Sequence, residues 1–92
     1  MRVIGHRGAG GAWPENTLAA IRHAIDCGVD AVEIDVRQLD GALIVLHDEM
    51  LDRTTSGHGH YKHTTLAAVR ALDAGQGEHV PLLEEVLALV GG

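Results

Sequence analysis

Aromatic residues are almost absent: Trp13 and Tyr61 are the only two in 92 residues, and phenylalanine does not occur. Any core must therefore be built from Leu, Ile, Val and Ala. Basic residues are also few, with seven Lys and Arg against thirteen Asp and Glu and a net charge of −6. That balance speaks against a nucleic-acid or anionic-membrane partner, because binding phosphate backbones relies on a basic surface. It leaves room for a divalent cation. Cys27 is the only cysteine, so no intramolecular disulfide can form and nothing points to an oxidising compartment. Cys27 itself is expected to be a small buried residue at a helix end. No apolar run approaches membrane length, and His6 arrives too soon for a signal-peptide core, so a soluble cytoplasmic protein is expected. The length allows one small domain with a core of modest depth.

What is present organises into short elements. Arg2 to Gly5 reads as a brief buried strand, followed by the Gly8–Gly11 loop. Asn16 or Thr17 can cap a helix whose apolar positions Leu18, Ile21 and Ile25 recur at helical spacing, with Gly28 placed to end it. Asp30 to Gln38 alternates as a strand, with Val32, Ile34 and Val36 on one face and Glu33, Asp35 and Arg37 on the other. A turn near Asp40-Gly41 leads into a strand over 42–46, which must form an antiparallel hairpin because the connection is too short for a parallel crossover. Glu49 to His63 is polar and reads as a surface excursion. Leu66, Val69 and Leu72 predict a short helix capped by Thr64 or Thr65 and stopped by Gly75. Pro81 opens a last helix with Leu83, Val86, Leu87 and Val90 on one face and Glu84 and Glu85 in solvent.

The hairpin loop decides which side chains meet. A two-residue loop at Asp40-Gly41 pairs Asp35 with Leu46 and turns His47 to the opposite face. A three-residue loop over Leu39-Asp40-Gly41, with Gly41 left-handed, pairs Glu33 with His47. The second is preferred, since it alone unites His47 with Glu33 and Asp35.

Two carboxylates spaced as Glu33-Ile34-Asp35 share one face of a strand and can reach a single hard cation such as Ca²⁺ or Mg²⁺. Alone, the pair reads as an ordinary solvated strand face. His6 and Arg7 sit where a strand gives way to a Gly-rich loop, a common place for functional side chains, and His47 ends a second strand. Together these supply two imidazoles for proton exchange, a guanidinium for phosphate and a carboxylate pair for metal, a set suited to phosphoester hydrolysis.

Taken in order, His6-Arg7-Gly8, Pro14-Glu15-Asn16-Thr17, Glu33-x-Asp35-Val36, Asp40-Gly41, His47-Asp48, Arg53-Thr54-Thr55, Leu72-Asp73-Ala74-Gly75 and Pro81 to Leu87 resemble the signature of glycerophosphodiester phosphodiesterases. The resemblance implies that His6 and His47 are general acid and base, that Arg7 contacts the phosphate, and that Glu33 and Asp35 bind a divalent metal, Ca²⁺ or Mg²⁺. It implies a glycerophosphodiester substrate split into sn-glycerol 3-phosphate and an alcohol. The fold implied is α/β, the N-terminal part of a TIM-type (β/α)₈ barrel with a β-hairpin after the second strand. Such a barrel takes about 250 residues, so residues 1–92 are expected to be a single incomplete domain. A further strand would bring a third metal carboxylate and a lysine in the family. Leu82 stands where the family usually has a threonine that could help start the helix.

Other readings are weaker. A dinucleotide-binding loop would need a third glycine where Trp13 stands, and a P-loop lacks its Gly-Lys-Ser/Thr. His58, His60 and His63 could form a metal clip, but their Gly-rich setting favours a solvated loop. The non-enzymatic alternative is a barrel fragment that self-associates as a homo-oligomer through uncovered barrel edges.

Overall fold

The computed structural model describes residues 13–91 together with the backbone of strand β1 (Ile4–Gly5). Thr17 opens helix α1 (Leu18–Asp26) by accepting a hydrogen bond from the Ala20 amide, which satisfies an otherwise orphaned donor of the first turn. Ile21 is fully buried and Leu18 packs at the edge of the same cluster, but Ile25, expected to face the core, is 40% exposed. Gly28 ends the helix with φ 79°, the left-handed conformation anticipated for it. Cys27 departs from expectation. It is exposed, not buried, because the helix C-cap turns it to the solvent side of α1 with Ile25 and Asp26.

β1 pairs in parallel with β2 (Ala31–Val32), and α1 forms the crossover between them. The single strand expected from Asp30 to Gln38 is broken. Glu33, Ile34 and Asp35 belong to no strand, and β3 (Val36–Leu39) pairs with β4 (Ala42–Val45) in a second sheet.

The preferred hairpin loop is also corrected. Leu39 pairs with Ala42 and Val36 with Val45, which leaves Asp40-Gly41 as a two-residue turn with φ 50° and 78°. Positive φ at both positions is the type I′ geometry that matches strand twist and that Asp-Gly favours. The Leu46 amide then donates to the Asp35 carbonyl at 2.9 Å, which sets Asp35 opposite Leu46 as the two-residue loop requires and is out of register with a pairing of Glu33 to His47. Packing supports that choice. In this register Leu39 and Ile44 share one face, and both are buried; a slip by one residue would separate them.

The Asp40 carboxylate accepts the Leu66 amide at 2.8 Å and fastens the turn to helix α2 (Leu66–Ala71), which Thr65 caps. Leu39, Ile44 and Leu46 pack with Leu51, Tyr61, Val69, Ala74 and Val80 in one core. The segment read as a surface excursion thus supplies two core side chains, Leu51 and Tyr61, and is pinned by a bridge between Met50 and His60. Its polar composition conceals them because the rest of the loop faces water.

Helix α3 (Leu83–Gly91) buries Val86 against Ile21 and Val45, while Leu87 and Val90 stay about half exposed. Glu85 is not simply in solvent, as expected. Its carboxylate accepts the Leu82 amide at 2.8 Å and pairs with Arg70 at 2.7 Å. This is the returning half of a capping box, and it starts the helix without a hydroxyl at Leu82. Among the described residues no helix is long and apolar enough to cross a membrane.

Candidate active site

Glu33 and Asp35 lie in the link between β2 and β3, Glu33 exposed and Asp35 half-buried. His47 lies just beyond β4 and is half-buried. His6, Arg7 and the Gly8–Gly11 loop lie outside the described residues.

Asp35 is held by Asn16, whose Nδ2 donates to Asp35 Oδ2 at 3.1 Å. Asn16 is 3% exposed and carries φ 55°, a left-handed conformation that asparagine tolerates better than most residues. The turn around it is fixed from two sides. The Thr17 hydroxyl donates to the Pro14 carbonyl at 2.7 Å, and Pro14 lies against Gly75. A Cβ at Gly75 would come within 2.8 Å of the Pro14 ring, so only glycine permits this approach.

His47 is held at ring and backbone. Its Nδ1 lies 2.7 Å from Asp48 Oδ1, and the Arg37 guanidinium donates to its carbonyl. Arg53 then joins two carboxylates. It donates to Asp48 from Nε at 2.8 Å and Nη2 at 3.0 Å, and to Glu15 from Nη1 at 2.8 Å and Nη2 at 3.0 Å. The hydrogen bonds from Arg53, and after them that from His47, hold the Asp48 carboxyl well below the usual carboxylate range. Asp48 and Glu15 in turn push the Arg53 guanidinium above its ordinary value.

Adjacent residues of one turn thus serve the two halves of the predicted site. Asn16 reaches Asp35, and Glu15 reaches His47 through Arg53 and Asp48. Asn16 Oδ1 and Thr54 Oγ1 are buried without a hydrogen-bond partner among the described residues, and both residues line a small cavity with His47.

The donor set suits a hard divalent cation. Glu33 and Asp35 offer carboxylate oxygens, and Asn16 Oδ1 is an orphaned oxygen on the amide that holds Asp35. Among the described residues no group of three or more His, Cys, Asp or Glu converges as a metal cluster. In the loop after β4, His58 lies 3.2 Å from Asp52 and His60 lies 2.8 Å from Glu49. Each faces an acid.

Glu15, Asn16, Arg37, Asp48 and Arg53 are not among the site residues expected from the sequence. Glu15, Asn16, Asp48 and Arg53 stand inside the motif strings, which was the available signal. The contact between Arg53 and Glu15 spans 38 residues, and nothing local announces it.

The glycerophosphoryl diester phosphodiesterase family pattern matches residues 6–91. A glycerophosphodiester phosphodiesterase of Caldanaerobacter subterraneus subsp. tengcongensis is 46% identical over 97 residues, covering 97% of this chain and 40% of that protein. Glycerophosphodiester phosphodiesterase 1 of Mus musculus is 38% identical, with 95% of this chain and 29% of that protein covered. Among solved structures, an Oleispira antarctica phosphodiesterase in complex with the product sn-glycerol-3-phosphate superposes with TM-score 0.94 at 41% identity, covering 99% of this chain and 40% of that one. The glycerophosphodiester phosphodiesterase of Agrobacterium tumefaciens gives TM-score 0.89 at 43% identity, covering 95% and 41%. The chain spans 40% of the length of the Caldanaerobacter relative.

Proposed function

This chain belongs to the glycerophosphoryl diester phosphodiesterase family, and from that membership we propose that residues 1–92 form the opening segment of a TIM-type barrel and part of a site that hydrolyses glycerophosphodiesters. The products are sn-glycerol 3-phosphate and an alcohol. The observation that carries this reading is the likeness to the Oleispira antarctica phosphodiesterase whose structure holds sn-glycerol-3-phosphate.

In this reading His6 and His47 divide the proton transfers. One takes a proton from the attacking oxygen as its bond to phosphorus forms, and the other gives a proton to the alkoxide as its bond to phosphorus breaks. Arg7 grips a phosphate oxygen. Glu33 and Asp35, the latter steadied by Asn16, would hold Ca²⁺ or Mg²⁺, and Asn16 Oδ1 would offer a neutral oxygen near Asp35. When bound, the ion neutralises charge that builds on the phosphate. Two carboxylates hold such an ion less firmly than three. The 92-residue chain is therefore a weaker catalyst than one extended to the length of its relatives.

The test is release of glycerol 3-phosphate from glycerophosphocholine with Ca²⁺ or Mg²⁺ added, in this chain and in the extended one. His6→Ala and His47→Ala are each expected to lower the rate by about 10²–10⁴-fold. Unchanged rates in both would refute the assignment.

A further inference from the structure

We propose that Asp48, clamped by Arg53 and through it by Glu15, is a positioning residue that fixes the His47 imidazole in one tautomer, with the proton on Nδ1 and Nε2 turned to the reacting oxygen. Its catalytic meaning rests on the role given to His47 above, whereas the tautomer itself does not.

Both oxygens of Asp48 accept N–H groups of Arg53, Oδ2 from Nε and Oδ1 from Nη2. A carboxylate gripped by a permanently charged guanidinium stays ionised, and an ionised carboxylate can only accept. The 2.7 Å contact between Asp48 Oδ1 and His47 Nδ1 therefore requires the proton to sit on Nδ1. Nε2 is left as the nitrogen that takes a proton when the ring acts as base and delivers it when the ring acts as acid.

Adjacency alone would not achieve this, because the side chain of a neighbouring residue swings among its own rotamers. Arg53 removes that freedom by tying Asp48 to Glu15, 38 residues earlier in the chain than Arg53. The guanidinium is half exposed, and a single ion pair there would contribute little. A planar fork engaged with two carboxylates at once is a geometrically specified network, which a lysine cannot reproduce. The Arg37 hydrogen bond to the His47 carbonyl fixes the backbone from the hairpin side. Because Glu15 adjoins Asn16, the imidazole and the Asp35 carboxylate are both referenced to one turn.

The experiment is long-range ¹H–¹⁵N correlation NMR of the labelled 92-residue chain, which reads imidazole tautomers with no substrate present. His47 is expected to show the Nδ1–H form in about tenfold excess. Asp48→Ala should abolish that excess. Arg53→Lys, which keeps the charge but loses the fork, should reduce it while the amide spectrum stays folded; it also serves if Asp48→Ala does not fold. An unchanged tautomer ratio in a folded Asp48→Ala or Arg53→Lys variant overturns the proposal. A wrong functional reading of His47 shows elsewhere, as undiminished turnover in His47→Ala.

Discussion

Between Leu39 and Val80 the chain buries Ile44, Leu46, Leu51, Tyr61 and Val69 to 5% exposure or less. In the unit built from β1, α1, β2 and α3, buried Ile21 and Val86 sit beside Ile25, Leu87 and Val90, which are 40%, 57% and 48% exposed. The hairpin half closes its core around the hairpin with Leu51, Tyr61, Val69 and Val80, whereas the crossover half leaves Ile25 of α1 and Leu87 and Val90 of α3 uncovered. The candidate site lies across the seam. His47, Asp48 and Arg53 come from the hairpin half, and Glu15 and Asn16 come from the approach to α1.

The largest expected effect tests which half carries the stability. Ile44→Ala removes a fully buried side chain at the centre of the hairpin core and should cost about 2–5 kcal/mol. Leu87→Ala trims a side chain already more than half in water and should change stability by less than about 0.5 kcal/mol. Urea unfolding of both variants measures the difference. Similar midpoints would mean that Leu87 is covered as well as Ile44 is, and the contrast would fail.

Much of this was legible in the sequence. Thr17, Gly28 and Thr65 mark helix boundaries through capping and backbone chemistry that acts over three or four residues, whereas Pro81 stands two residues before α3 begins at Leu83. The hairpin itself was legible but its register was misread. Asp40-Gly41 is the local signal for a two-residue type I′ turn, and it outweighs the polar pattern of Glu33, Asp35 and His47 that favours a three-residue loop. Turn chemistry and the burial of Leu39 with Ile44 decided the register instead. Leu51 and Tyr61 were missed because two inward-facing residues in a polar loop make no periodic pattern. The clamp joining Glu15, Arg53 and Asp48 was beyond reach, since it exists only once both halves have folded. Its parts could be seen as motif strings; their partnership could not.

An intermediate effect tests the seam itself. The Asp48 carboxyl is depressed by Arg53 and His47, so its contribution is fully present above the unfolded value near 3.8 and is lost as pH falls through the folded value. The clamp is therefore intact at pH 5 and weakens only in stronger acid. Half-exposure of Arg53 lets solvent screen the pair, so the acid-sensitive part is about 1 kcal/mol. Thermal unfolding of wild type and Asp48→Asn should differ most near neutrality and converge toward pH 2. A gap that stays constant with pH would place Asp48 outside the stabilising contacts between the halves.

The smallest effect probes the uncovered side of α1. Cys27 is exposed, and its sulfur lies 3.5 Å from His23 Nε2, a weak contact. What Cys27 does for the helix end it does through its backbone, whose N–H reaches the His23 and Ile25 carbonyls, and serine can do the same. Cys27→Ser should therefore alter stability by less than about 0.5 kcal/mol. A thiol reagent should label the native chain at nearly the rate seen in urea. A buried cysteine would behave otherwise, because labelling would wait for unfolding and slow in proportion to a folding constant of roughly 10³ or more. Slow native labelling that accelerates with urea would show that this end of α1 is covered in solution. The crossover half would then be better closed than its exposed side chains indicate, and the contrast between the two halves would shrink accordingly.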